Sequence, residues 1–182
     1  MVVTPTEIPD VKIVRPEIHR DDRGYFMETY HSTRYRESGI DACFVQDNES
    51  KSSRGVFRGL HWQVGEFAQA KLVRVIRGAV WDVAVDIRKG SPTFGRHVAC
   101  ELTAENGLQF YVPRGFAHGF LVLEDDTVFS YKCDNHYCRE AERALDYADP
   151  ALAIDYPTLG RPFLLSEKDL HNPRLKDIEP WV

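Results

Sequence analysis

Lys71-Leu72-Val73-Arg74-Val75-Ile76-Arg77-Gly78-Ala79-Val80-Trp81-Asp82-Val83-Ala84-Val85-Asp86-Ile87 is dense in β-formers and is interrupted once, at Gly78. The glycine divides it into two strand-like runs, joined either as a hairpin or as one bent strand. In the second run Val80, Asp82, Ala84 and Asp86 share one face, and Trp81, Val83, Val85 and Ile87 share the other. That period of two is the signature of a strand. Similar runs on either side predict strands at Val11–Arg15, Tyr25–Tyr30, Phe44–Glu49, Val56–Gln63, His97–Leu102, Leu108–Val112, Gly119–Leu123 and Thr127–Asp134. Turn sequences separate them at short intervals, among them Asp22-Arg23-Gly24, Lys89-Gly90-Ser91-Pro92, Glu105-Asn106-Gly107 and Glu124-Asp125-Asp126. Many short strands with closely spaced turns predict an all-β sandwich or barrel. Helix is sparse: His31–Ser38 reads as a short helix closed by Gly39, and Ser166 as the cap of a turn at Glu167–Leu170. The Pro- and Asp-rich region after Tyr147 reads as an ordered tail with little sheet, and no linker or second domain interrupts residues 1–182.

The chain has 182 residues, 43% hydrophobic and 12% aromatic, enough for one domain with a substantial core. A net charge of −5 argues against a nucleic-acid binder but leaves room for a small anionic ligand held by local arginines. Cys43, Cys100, Cys133 and Cys138 form no C-x-x-C pair, so a zinc knuckle is disfavoured. Cys133 and Cys138 are close enough in sequence for a disulfide, but free thiols in a reducing cytosol are the preferred reading. Met1–Lys12 lacks the basic start and apolar centre of a signal peptide, and no apolar run reaches membrane-spanning length. A soluble, cytoplasmic protein is expected.

Two segments carry chemistry. Arg54-Gly55-Val56-Phe57-Arg58-Gly59-Leu60-His61-Trp62-Gln63 sets two arginines and a histidine in an apolar frame. Histidine is suited to carry protons near neutral pH, and arginine to grip phosphate. Arg58 and His61 differ by three positions, so a regular strand would point them to opposite faces. Both reach one pocket only if the strand bulges between them, and Gly59 is where a bulge is expected. The second segment is Pro113-Arg114-Gly115-Phe116-Ala117-His118-Gly119. Its P-x-G-x-x-H spacing resembles the second motif of the cupins, small double-stranded β-helix or jelly-roll barrels. A cupin metal site usually has H-x-H in its first motif. Here that place reads His61-Trp62-Gln63, which weakens the metal reading.

Several motifs in order extend the resemblance. Asp22-Arg23-Gly24-Tyr25-Phe26-Met27-Glu28, Gln46-Asp47-Asn48-Glu49-Ser50, the Arg54–Gln63 stretch, Lys71-Leu72-Val73, Asp82–Arg88, Pro113–Phe120 and Tyr131-Lys132-Cys133 together resemble the dTDP-4-dehydrorhamnose 3,5-epimerase family. The likeness runs from about Asp10 to Asp169 without a large gap. It implies a cupin barrel acting on a dTDP-linked 4-keto-6-deoxy sugar, whose C3 and C5 protons are acidified by the neighbouring ketone. Such chemistry needs a base on one face, an acid on the other and a donor at the ketone oxygen. The resemblance assigns His61 as base, Asp169 as its orienting carboxylate, Tyr131 as acid and Lys71 as the enolate's partner, with no metal and no other cofactor. It places Arg23 and Arg58 on the diphosphate, with Glu28, Gln46, Asp47 and Asn48 at the nucleotide end. Phe26 and Tyr137 offer aromatic surface, Glu142 and Lys168 complete the pocket from the tail or a partner subunit, and His118 stands beside the substrate or behind it. It also implies a homodimer built partly by exchange of an N-terminal strand, for which Val11–Arg15 is apolar enough.

Departures from the family pattern are small: Trp62 where Phe is more familiar, Cys138-Arg139 after Tyr137, and Tyr156-Pro157 where Trp-Pro is usual. Close relatives of the family invert only C3 or only C5 with nearly the same catalytic set, so a single-centre epimerase stays open. A metal-dependent or sugar-binding cupin is the remote third reading.

Overall fold

A computed structural model describes Met1–Val182. Its strands are β1 (Val2–Pro5), β2 (Lys12–Arg15), β3 (Ile18–Asp21), β4 (Gly24–Met27), β5 (Gln46–Ser52), β6 (Phe57–Gln63), β7 (Lys71–Arg77), β8 (Ala79–Asp86), β9 (His97–Thr103), β10 (Gln109–Val112), β11 (Phe116–Val122), β12 (Thr127–Cys133) and β13 (Glu142–Ala144). The single α-helix, α1, spans Ser32–Glu37. A six-stranded sheet in the order β1-β2-β10-β7-β12-β5 packs on a five-stranded sheet in the order β13-β6-β11-β8-β9. All pairings within the two sheets are antiparallel. This is the jelly-roll barrel of the cupins.

The run Lys71–Ile87 decides that architecture. β7 pairs with β10 and β12, whereas β8 pairs with β11 and β9. The two runs belong to different sheets, so Gly78 is a corner and not a hairpin turn. A Cβ there would stand 2.3 Å from Thr127 Oγ1, and φ is +81°. The two faces of β8 separate as the alternation requires. Val80 and Ala84 enter the core between the sheets with Val73, Val75, Phe110, Phe120 and Phe129. Val83, Val85 and Ile87 enter a second core outside the five-stranded sheet, covered by Tyr147, Tyr156, Phe163 and Trp181 of the tail. A third core lies outside the six-stranded sheet, where Tyr35 of α1 and Ile40 cover Val14, Leu72 and Tyr111. β8, β10 and β11 are thus buried on both sides.

Several boundaries move with their partners. β5 runs two to three residues later than its sequence suggests, because all seven of its residues pair with β12 while Phe44 packs against Tyr30. β11 starts at Phe116, paired with Asp86, so His118 lies inside a strand. β4 ends at Met27 and forms a separate hairpin with β3. β2 lies between β1 and β10 of its own chain, and β1 forms the edge of the six-stranded sheet. β1, β3 and β13 are three or four residues long and lack a readable alternation. Ser166 precedes a short 3-10 turn, Glu167–His171, but its hydroxyl makes no capping bond to the backbone. All four cysteines are free thiols, so Cys133 and Cys138 are not joined. No helix is long and apolar enough to cross a membrane.

Candidate active site

The cavity opens between the two sheets, and its walls come from opposite sides of the sandwich. β6 and β11 of the five-stranded sheet supply Arg58, His61 and His118; β7 and β12 of the six-stranded sheet supply Lys71 and Tyr131. The tail closes it with Leu164, Leu165, Ser166, Lys168 and Asp169. This lobe holds about 440 Å³. A second lobe of about 370 Å³ shares His61, Lys71 and Tyr131 and is lined by Gln46, Asn48, Cys133, Tyr137 and Glu142.

Arg58 and His61 reach the same lobe because β6 is irregular where expected. His61 pairs with His118, and Arg58 with Phe120, so β6 carries one extra residue against β11. Gly59, at φ +138°, occupies the bulge. A Cβ on it would stand 2.5 Å from Gly119 Cα, so the strands approach there too closely for any side chain. Arg58 is held by Ser52 Oγ, at 3.1 Å from Nη2.

His61 Nε2–H donates to Asp169 Oδ1 at 2.6 Å, which leaves Nδ1 as the nitrogen able to accept a proton. Asp169 is buried and also accepts from Ser166 Oγ at 2.7 Å and from Asn172 Nδ2 at 3.4 Å. Burial alone would raise its pKa. The bonds from His61 and Ser166 outweigh that and hold the carboxyl below its usual range. A second pair stands beside it: His118 Nε2 donates to Asp82 Oδ1 at 2.7 Å. Asp82 is fully buried, its Oδ2 has no partner, and burial raises its pKa against the opposing pull of His118 and Lys71.

On the other wall, the Lys71 ammonium makes no hydrogen bond or ion pair and senses Cys133, Asp82 and Glu142 only through their charge. Burial lowers its pKa. Burial raises that of Tyr131, with Cys133 adding to the rise and Arg58 opposing it, so the phenol keeps its proton. The His61–Asp169 pair faces the Tyr131 phenol across the cavity, beside the unpaired Lys71 ammonium. At the mouth, Lys168 Nζ contacts both oxygens of Glu142 at 3.0 Å, and Tyr137 Oη donates to Glu142 Oε2 at 3.3 Å. Glu142 and Lys168 therefore join the pocket from β13 and the tail of the same chain.

Four expected site residues are not at this chain's own cavity. Asp47 alternates with Gln46 and Asn48 along β5, so its carboxylate lies on the outer face and pairs with Lys132 at 2.8 Å. Arg23 and Phe26 ride on the β3–β4 hairpin, which pairs with neither main sheet. Arg23 binds Asp21, and Phe26 is 70% exposed. Glu28, just after the hairpin, pairs with Arg34 at 2.9 Å. Conversely, Asp82, Asn172 and Ser50, whose buried hydroxyl has no partner, carry no sequence signal for the site, and Ser166 reads from sequence only as a turn cap. The Ser166-Glu167-Lys168-Asp169 spacing, that of a capping box, was the one available signal for Ser166.

The donor set does not suit a cupin metal ion. His61 and His118 each give Nε2 to a carboxylate. The Gln63 amide is taken up by the Phe67 carbonyl and the Cys138 N–H. No group of three or more His, Cys, Asp and Glu side chains is placed to hold a metal.

The fold is that of a cupin, and its cavity gathers a histidine–aspartate pair, a tyrosine, a lysine and an arginine. A family model described as dTDP-4-dehydrorhamnose 3,5-epimerase matches residues 5–177. A dTDP-4-dehydrorhamnose 3,5-epimerase of Shigella flexneri is 47% identical over 183 residues, covering 100% of both chains. The Legionella pneumophila dTDP-6-deoxy-D-glucose-3,5-epimerase, solved in complex with dTDP-4-keto-L-rhamnose, superposes with a TM-score of 0.95. It is 48% identical, over 100% of this chain and 98% of that one. A 3'-monoepimerase of Streptomyces bikiniensis, in complex with dTDP-quinovose, has a TM-score of 0.89 and 36% identity, over 94% of this chain and 87% of that one. The chain belongs to the dTDP-4-dehydrorhamnose 3,5-epimerase family.

Proposed function

We propose that residues 1–182 work as one unit, an isomerase that inverts C3 and C5 of dTDP-4-dehydro-6-deoxy-D-glucose to give dTDP-4-dehydro-L-rhamnose. The observation that carries this reading is the opposition of the His61–Asp169 pair and Tyr131 on facing sheets, with Lys71 between the lobes. His61 Nδ1 removes the proton on a carbon next to the C4 ketone. Asp169 holds the ring by Nε2–H and steadies the imidazolium that forms. The C–H electron pair moves toward the ketone oxygen, where the Lys71 ammonium meets the developing enolate charge. Tyr131 then protonates the carbon from the opposite face, which inverts it, and water resets both proton carriers. Repetition at the second carbon completes the reaction.

Arg58 is suited to the diphosphate, and Gln46, Asn48, Tyr137 and Glu142 to the nucleotide end. In a homodimer, the protruding β3–β4 hairpin would bring Arg23 and Phe26, with Glu28 beside them, to the neighbouring copy's cavity. That arrangement reconciles their expected roles with their distance from their own site. The reaction as drawn uses only side chains of this chain, and a nucleotide-sugar substrate suits a cytoplasmic enzyme.

Incubation with dTDP-4-keto-6-deoxyglucose in heavy water tests the reading. Deuterium at both C3 and C5 supports it. Deuterium at one carbon identifies a single-centre epimerase. No exchange in fresh, folded protein rules out both.

A further inference from the structure

We infer that Ser166 is a positioning residue for the proton-abstracting pair, acting through Asp169. The inference rests on the proposed reaction, in which His61 is the base. A buried carboxylate needs every lone pair it can satisfy, and Asp169 has few donors around it. Oδ1 is shared by His61 and, at 3.4 Å, Asn172, whereas Oδ2 accepts only Ser166 Oγ at 2.7 Å. The donor must be the hydroxyl, because an ionised carboxylate only accepts.

Local backbone geometry makes that bond possible. Ser166 is extended at the head of the 3-10 turn, and its carbonyl accepts from Asp169 N–H at 2.9 Å. Serine at such a position ordinarily turns its oxygen to a backbone N–H of the turn. Here it donates forward to the carboxylate three residues on. A turn anchored at its backbone therefore also fixes the rotamer of the carboxylate that aims His61. The start of the segment is itself pinned to β6, by Phe57 N–H on the Leu164 carbonyl and Leu164 N–H on the Gly55 carbonyl.

Removing the hydroxyl leaves Oδ2 buried without a partner. The carboxylate then holds its own proton more tightly, which moves the acid limb of the rate profile to higher pH. The other titratable or charged groups facing the pair are Arg58 on β6, Lys71 on β7, His118 on β11, Tyr131 on β12, Glu142 on β13 and Lys168 on the turn. All of them are unchanged by the substitution.

The test compares wild type, Ser166→Ala and Ser166→Thr across pH. Ser166 is exposed apart from this bond, so both variants are expected to fold. In Ser166→Ala, kcat should fall about tenfold, as for a lost hydrogen bond to a charged group. KM should change little, and the acid limb should move up. Ser166→Thr, which keeps the hydroxyl, should restore both. An unmoved limb with wild-type kcat overturns the inference. So does a loss confined to KM, which would make Ser166 a substrate contact. The carboxyl resonance of isotope-labelled Asp169 reports the same shift in resting protein. Even if wild type exchanged no deuterium and the proposed reaction fell, an unchanged Asp169 titration would separately refute the role of Ser166.

Discussion

Arg58 and His61 stand three positions apart on one strand and line one cavity, because β6 gains a residue against β11 at Gly59. The bulge is a condition of the site, since a regular strand would turn one of the two outward. Gly59→Ala should therefore damage structure and activity together. Its Cβ would meet Gly119 Cα at 2.5 Å, at a φ of +138° that other residues rarely adopt. We expect a loss of about 2 kcal/mol or more, read as a lower denaturant midpoint, because overpacking and backbone strain add. Unchanged stability would mean that the strands can separate at this point without cost.

His61→Ala should abolish deuterium uptake at both carbons and leave dTDP binding close to wild type. His61 lies where the two lobes join, whereas the groups suited to the nucleotide line the second lobe. Exchange followed by NMR, with calorimetric titration of dTDP, checks both halves. Tyr131→Phe should behave differently. Proton removal by His61 persists, so exchange continues, but inversion is lost because the phenol that protonates the carbon from the opposite face is gone. Full epimerase activity in Tyr131→Phe would assign the acid elsewhere.

Legibility in the sequence followed the length of each pattern. The eight residues of β8 alternate so regularly that both of its faces were readable, and the Arg58–His61 spacing exposed the bulge. β3 and β13 were not readable, because Ile18–Asp21 and Glu142–Ala144 are strands only through their partners. His61 and Asp169 are 108 positions apart, and only the family resemblance joined them. Asp82 looked like one acidic residue on a strand face; its role beside His118 depends on which face the second sheet covers. Arg23, Phe26 and Glu28 were legible as ligand-type residues, but no pattern within one chain tells whose cavity they reach.

Asp86 makes a stability prediction independent of the reaction. It is fully buried, and burial would raise its pKa. Hydrogen bonds from Arg88, Ser91 and Thr93 and from the Arg88 N–H overcome that and hold it at about 2, against an ordinary 3.8. A carboxyl with a depressed folded-state pKa stabilises the fold above its unfolded value, and that contribution disappears as pH falls from about 4 through 2. The effect is on the order of 2 kcal/mol. Asp86→Asn should lower the melting temperature at pH 7 and flatten the acid side of the stability profile. Arg88 also reaches Asp10 at 2.8 Å, so hydrogen exchange in the N-terminal segment should rise in the same variant. A variant with wild-type acid sensitivity would show that other carboxylates govern acid unfolding.

Under the proposed reaction Lys71 should set the alkaline end of activity. Its ammonium must be charged to meet the enolate oxygen, and burial lowers its pKa below the usual 10.5. Tyr131 moves the other way, above 10, so it remains a proton donor over the range in which Lys71 loses its charge. Activity should therefore fall on the alkaline side as Lys71 deprotonates, before Tyr131 ionises. Lys71→Ala should cost about 100- to 1,000-fold in kcat, as for other lost oxyanion donors. Lys71→Arg supplies a guanidinium that stays charged throughout. Whatever activity it retains should persist to higher pH than in wild type. If the alkaline limb of Lys71→Arg coincides with that of wild type, the titrating group is not Lys71, and the enolate is stabilised by another donor on the cavity wall.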